Sequence, residues 1–303
     1  MRTRKTLNDR LLAWKMSGGL KQTTVDIFER GRRNRMVITG STIIIIMVAL
    51  ALLAPYLPLA SSTHPLDYEK LLEPSFNDHW FGTDENGIDV FSRVIFGARV
   101  SLLVATVAIV ASMLIGVTLG LTAGYFGGWV DYVIAGAIDL FWTFPAFLLA
   151  LAFAAALGPS LENVILAISV SYWAGFARLM RGQVLTVRER LFVEASKALG
   201  AKHRRIMFTH VLPNCIAPLI VWASIGVADA ITIESSLSFL GAGTQPPTPS
   251  WGYMLKSGML YLEEAWWIST FPGIVLLITI LGFNLLGDGM RDVLDPRMKG
   301  MRR

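Results

Sequence analysis

The feature that most constrains this chain is a series of stretches without a single Asp, Glu, Lys or Arg, most of them long enough to cross a lipid bilayer. The first runs from Met36 to Leu66. Its core, residues 37–59, exceeds the roughly 20 residues that a helix rising about 1.5 Å per residue needs to span the hydrocarbon. Further windows cover residues 100–130, residues 132–161 with only Asp139 inside, and a shorter stretch at 163–177. A fifth starts at Val211 and carries Asp229 and Glu234 towards its end, and a sixth covers 265–287. Lipid offers no partner for backbone N–H and C=O groups, so such segments must close their hydrogen bonds internally as helices. The expectation is an all-α polytopic membrane protein with six transmembrane helices. The polar and basic residues before the first window, with no A-x-A site closing it, predict an uncleaved anchor and not a signal peptide.

Charge distribution sets the orientation. Only 16% of the 303 residues are charged against 53% hydrophobic, and the net charge of +5 with a pI near 9.4 would suit a nucleic-acid binder if it were spread over a soluble surface. It is not. Of the 27 Lys and Arg, 23 fall in residues 1–36, 178–210 and 288–303, while seven acids crowd residues 64–99. By the positive-inside bias both termini and the loop near 178–210 are expected on the cytoplasmic side of the membrane, with no nucleic-acid partner. The expected organisation is a cytoplasmic segment 1–35, a first transmembrane helix 36–60, an external loop 61–99, a membrane core 100–290 holding five helices and a loop at 188–210, and a cytoplasmic tail 291–303. The lone Cys215 forms no internal disulfide, and His64, His79, His203 and His210 show no metal-ligand spacing, so neither cofactor nor metal is expected.

Inside the membrane, Ala108, Ser112, Gly116, Gly120 and Gly124 recur every four residues, a stripe that lets another backbone approach. It reads as a packing seam, or as a face that slides during transport. Asp139, Asp229 and Glu234 lie near hydrocarbon depth, where a charge costs at least about 2.5 kcal/mol. Either they line a polar translocation pathway, for which no intramembrane base is evident, or they are hydrogen-bonded structural carboxyls. The acids of the first loop suit either a docking partner or plain solvation. Trp251, Trp266 and Trp267 fit interfacial anchoring.

The loop between the fourth and fifth spans is the most specific. Residues 190–199 have helical composition, with Phe192, Ala195, Ser196 and Leu199 near one face, Gly200 placed to end the helix, and a second short helix expected over 201–209 before Pro213. Such a surface element suits a groove on a partner. The run Glu194-Ala195-Ser196, then Gly200, then His210-Val211-Leu212-Pro213 resembles the EAA signature of importer permeases of the ATP-binding-cassette (ABC) class, with Ser196 in place of the second alanine. His210, where many subfamilies have isoleucine, resembles the dipeptide, oligopeptide and nickel subfamily. Three further stretches are similar to its C-type permease. They are Gly82-Thr83-Asp84 through Leu102, with Ile88 where arginine is usual; Leu237–Gly241 with Gln245–Gly252; and Phe283–Asp292 with Asp295-Pro296.

This resemblance implies a type I importer permease fold and a heterodimer with a second, related permease subunit. It further implies two ATP-binding subunits on the cytoplasmic side and an extracytoplasmic substrate-binding protein. Glu194, Ala195, Ser196, Gly200, His210 and Pro213 would couple this chain to an ATP-binding subunit, moving the spans between inward-open and outward-open states. No G-x4-G-K-[ST] sequence is present, so ATP hydrolysis is expected from the partners and not from this chain. Short peptides are the expected cargo, with nickel, glutathione or another small solute as alternatives within the family. A proton-coupled secondary transporter or channel is the reading from another class, since membrane carboxylates also relay protons.

Overall fold

A computed structural model describes Glu29, residues 31–57, Leu59 and residues 79–294. Among these residues the chain is helical, with one isolated bridge between Thr83 and Asp89. Most of the expected 1–35 segment, the 61–78 part of the expected loop and the 295–303 part of the tail lie outside the described residues.

The first span, α1 (Arg35–Leu53), starts where the Asn34 side chain accepts from the Met36 and Val37 amides, and runs into a 3-10 turn at Ala54–Tyr56. The second, α2 (Val90–Phe126), begins ten residues before its charge-free window, with Asp89 as N-cap accepting from the Ser92 amide at 2.7 Å and its hydroxyl at 2.6 Å. Arg93 and Arg99 therefore sit on a helix and not in an external loop.

The third window does not form one straight helix. It forms α3 (Gly128–Trp142) and α4 (Ala146–Leu157), bent 86° at a break of three residues. Pro145 has no amide to donate and disfavours helix at Phe144, so the chain turns there. The fourth span is α5 (Leu161–Arg188), capped by Ser160 and 28 residues long, so it overruns its short apolar window at both ends. Next come the short α6 (Leu191–Ala198) and α7 (His203–Arg205). The expected second helix over 201–209 does not stop before Pro213. The chain passes from α7 through a π-helical turn at Ile206–Val211 into α8 (Leu212–Leu240), giving continuous helix over His203–Leu240. Pro213 lies inside this continuous helix, just after the π turn, and supplies no amide to the carbonyls of that turn. Two more helices follow, α9 (Trp251–Met259) and α10 (Trp267–Leu294).

Among the described residues five helices are long and apolar enough to span a membrane, or six with the bent α3–α4 pair taken as one, as the sequence predicts. The most extensive pairing is α2 with α5, along the predicted small-residue stripe. A Cβ on Gly116 would stand 2.5 Å from Trp173 O, and one on Gly120 would stand 2.4 Å from Ala177 O. Ser112 lies one turn before Gly116, its hydroxyl proton shared between Ala108 O at 2.8 Å and Ser169 O across the seam at 3.1 Å. This is backbone-to-backbone packing of the kind small residues permit in lipid, where dispersion rather than water exclusion holds helices together.

Candidate functional site

The 188–210 loop forms at one end of α2 and α5. Helix α6 packs on the π turn and the end of α5, and of its side chains only Val193 is buried (0% exposed). Leu191 and Leu199 are 82% and 88% exposed, and Phe192, Glu194 and Ala195 also face outward, with Ser196 half-buried. The Ser196 hydroxyl donates to Phe192 O at 2.8 Å and so satisfies itself within the helix.

The end of α6 explains the glycine. Leu199 is the C-cap, Gly200 follows at φ +74°, and two reverse bonds close the turn, Gly200 N–H to Lys197 O at 2.9 Å and Ala201 N–H to Ser196 O at 3.1 Å. This is the Schellman geometry, which needs the left-handed conformation that glycine takes without strain. No atom lies within 4 Å of a Cβ placed on Gly200, so backbone conformation and not crowding demands it. Glu194, Ala195, Ser196 and Gly200 thus share one exposed helix and turn. His210 and Pro213 are on the helix leading to α8, where the His210 carbonyl accepts from the Asn214 amide group at 2.7 Å.

The three membrane acids part company. Glu234 is fully buried and accepts from the hydroxyls of Ser101 at 2.8 Å and Ser238 at 2.9 Å. Ser238 in turn accepts from the Thr244 amide, which joins α8, α2 and the following loop in one network. Asp139 lies 3.4 Å from the Arg178 guanidinium, which also stacks over Trp142. Helix α5 continues past Ala177 and carries Arg178 and Arg181, the latter paired with Asp131 at 2.5 Å. Asp229 is exposed, in line with Trp222, Ile225, Thr232 and Ser236 along α8, and Asp139 is exposed as well.

One contact set escaped the sequence. At the end of α2, the Tyr125 hydroxyl and His203 Nδ1 are 3.0 Å apart, and the Lys197 ammonium lies 5.9 Å from the centre of the Tyr125 ring. Tyr125 and His203 are 78 residues apart in the chain, and neither falls in a recognisable pattern.

The profile of the family described as "binding-protein-dependent transport system inner membrane component" matches residues 116–300. The chain belongs to this family. Residues 23–74 further match the N-terminal transmembrane domain of oligopeptide transport permease C. The permease is 43% identical to a dipeptide transport system permease protein, DppC, of Alkalihalophilus pseudofirmus, over 90% of each chain. It is 40% identical to the probable D,D-dipeptide transport system permease protein DdpC of Escherichia coli, over 88% of this chain and 89% of the other. It is 37% identical to the glutathione transport system permease protein GsiD of Pectobacterium atrosepticum, over 90% and 91%.

Among solved structures, a chain of the MetNI methionine ABC transporter in inward-facing conformations superposes with TM-score 0.55 at 18% identity, covering 67% of this chain and 97% of that one. An amino acid ABC transporter gives 0.52 at 14%, covering 65% and 92%. These likenesses carry the fold, that of ABC importer permeases. The protein is a multi-pass inner-membrane permease of an ABC importer, a transport component whose family works with ATP-binding and substrate-binding partners. The secondary-transporter or channel reading finds no support in this family.

Proposed function

We propose that this chain is one half of a heterodimeric permease that imports short peptides, with separate subunits hydrolysing ATP and a binding protein delivering cargo from outside. The observation that carries the coupling part is α6: an eight-residue helix held by one buried side chain, its other residues turned outward, ended by a rigid glycine turn. A helix with so little of its surface covered by its own chain is built to be covered by another. In this reading Glu194, Ala195, Ser196 and Gly200 sit in a groove of an ATP-binding subunit, while His210 and Pro213 carry the displacement into α8 through the π turn. Coupling then requires that the ATP-bound partner favour one disposition of α6 by differential contacts. The 188–210 loop is then the coupling element, with both termini on its cytoplasmic side.

For the pathway, Asp229 is the acid to retain. Its face of α8 is open and carries Thr232 and Ser236 beyond it, whereas the Glu234 carboxyl accepts from serine hydroxyls and Asp139 faces Arg178. The peptide assignment rests on the dipeptide relatives. Glutathione, itself a tripeptide, is the second reading and is favoured by the 37% identical permease of that name.

The test is reconstitution of the chain with its second permease, ATP-binding subunits and binding protein in proteoliposomes. Uptake of dipeptides that requires ATP, and is lost on Gly200→Val without loss of the chain from the membrane, is the expected result. Uptake driven by a proton gradient alone would overturn the reading, and ATP-driven uptake of glutathione but no dipeptide would select the second one.

A further inference from the structure

Helix α2 ends at Phe126 with its last carbonyls unpaired within the helix, and the partial negative charge of a helix C-terminus draws basic groups. Three arrive, one from each element of the coupling region. Arg188, the last residue of α5, donates to Gly124 O at 2.8 Å. Lys197, in the last turn of α6, lies over the Tyr125 ring, and His203, the first residue of α7, meets the Tyr125 hydroxyl. The His203 ring also packs edge-on to Tyr125, centroids 5.7 Å apart, and tilted against Phe126 at 5.9 Å. Lys197 and His203 flank Gly200 on either side. Tyr125 itself is buried, so one side chain at the tip of α2 grips both arms of the glycine turn.

We infer that Tyr125 is a positioning residue for coupling, a clamp that fixes the Gly200 turn to α2. This rests on the reading of α6 as the docking helix. Without the clamp, α6 reaches the spans only by its covalent links to α5 and α8 and by the single buried Val193. With it, displacement of the turn acts directly on α2, and through the close α2–α5 seam on the largest packed pair of the bundle. The hydroxyl ties the α7 side of the turn, and the ring face, through the cation, ties the α6 side.

The experiment measures substrate transported per ATP hydrolysed by the full reconstituted complex, together with retention of the ATP-binding subunits in detergent. Tyr125→Phe keeps the ring and loses the hydroxyl contact, and should lower transport per ATP about fivefold, the effect of one lost hydrogen bond, with the ATP-binding subunits still retained. His203→Asn, which can place a polar atom near the Nδ1 position, should stay within about twofold of wild type, whereas His203→Ala should fall as Tyr125→Phe does. Combining Tyr125→Phe with His203→Ala should be no worse than either alone, because both remove the same contact. Wild-type stoichiometry in Tyr125→Phe, full additivity in the double variant, or loss of the ATP-binding subunits in Tyr125→Phe would each overturn the clamp. Failure of the docking reading shows separately: Glu194→Ala and Gly200→Val would then retain both the ATP-binding subunits and full coupling.

Discussion

The two ends of α2 are built on opposite principles. At its start, the segment 79–89 and the helices α9 and α10 close over the chain and most buried polar groups find internal partners, with Glu85 Oε2 and Arg93 Nε as exceptions. Asp84 accepts from the Asn86 and Ile88 amides and pairs with the buried Arg93, the Trp267 indole donates to Thr83 O at 3.0 Å, and the Trp251 indole donates to Val94 O at 2.9 Å. At its far end, α6 leaves leucines and a glutamate in the open and is held by one valine and the Tyr125 contacts. The first end consumes its interactions in folding. The second withholds them, which is the condition for an element that must bind, move and release a partner.

Damage should therefore separate by end. The largest effect on stability is expected from Arg93→Ala, which leaves the Asp84 carboxylate buried without its cation. Breaking a buried pair costs about 3–5 kcal/mol, so the chain should be scarce in membranes and unstable in detergent. Glu194→Ala, equally charged but exposed, should change stability by no more than about 0.5 kcal/mol while transport falls. Membrane abundance and uptake measured side by side test the contrast, and a scarce Glu194 variant would break it. Next in size is Gly120→Val in the α2–α5 seam, where the added atoms collide with the α5 backbone. Overpacking of that kind costs about 1–3 kcal/mol, read as a lowered melting temperature of the solubilised complex.

Much of this contrast was legible in the sequence, and unevenly so. The small-residue stripe announced the seam because its period of four is a property of one helix. The Schellman turn at Gly200 was legible because it too is local. Helix ends were not, since the charge-free windows stop at Arg99 and Ala177, whereas α2 starts at Val90 and α5 runs on to Arg188. Basic side chains inside those helices find carboxylates on neighbouring segments, as Arg93 does in Asp84 and Arg178 in Asp139, and no window can register a partner from elsewhere in the chain. The same blindness left Glu234 open between a pathway residue and a hydrogen-bonded structural carboxyl. Its three serines come from two helices and only the fold assembles them. The bend at Pro145 has a local cause, the proline itself, but a charge-free window does not register it.

Gly200 sharpens the comparison at lower energy. With no neighbour to crowd it, any loss on substitution comes from the left-handed backbone, about 1–2 kcal/mol for a residue with a Cβ. Gly200→Asn, which tolerates that conformation, should keep coupling nearly intact, while Gly200→Val should lose it, with both chains equally abundant. Co-purification of the ATP-binding subunits and substrate-stimulated ATPase distinguish the two. Equal behaviour of Asn and Val would mean that the turn is not what positions α6.

The smallest effect is expected at the closed end, from Glu85. Burial pushes its carboxyl above the ordinary range; a backbone hydrogen bond opposes this, Asp84 adds to it, and Arg93 and the Ser257 hydroxyl oppose it more weakly. Oε2 has no hydrogen-bond partner among the described residues. A carboxyl whose pKa is higher folded than unfolded binds its proton more tightly in the folded chain. The stability it contributes is complete below the unfolded pKa and is lost as pH rises through the folded one. At neutral pH the charged group is thus a small liability. Glu85→Gln keeps the shape without the titration, so its melting temperature should lie about 2 °C above wild type at neutral pH and fall less across the weakly acidic range. Transport per ATP should be unchanged, because nothing at this end of α2 is expected to touch the coupling turn. A shift in that ratio would mean that the two ends are mechanically joined along the length of the helix.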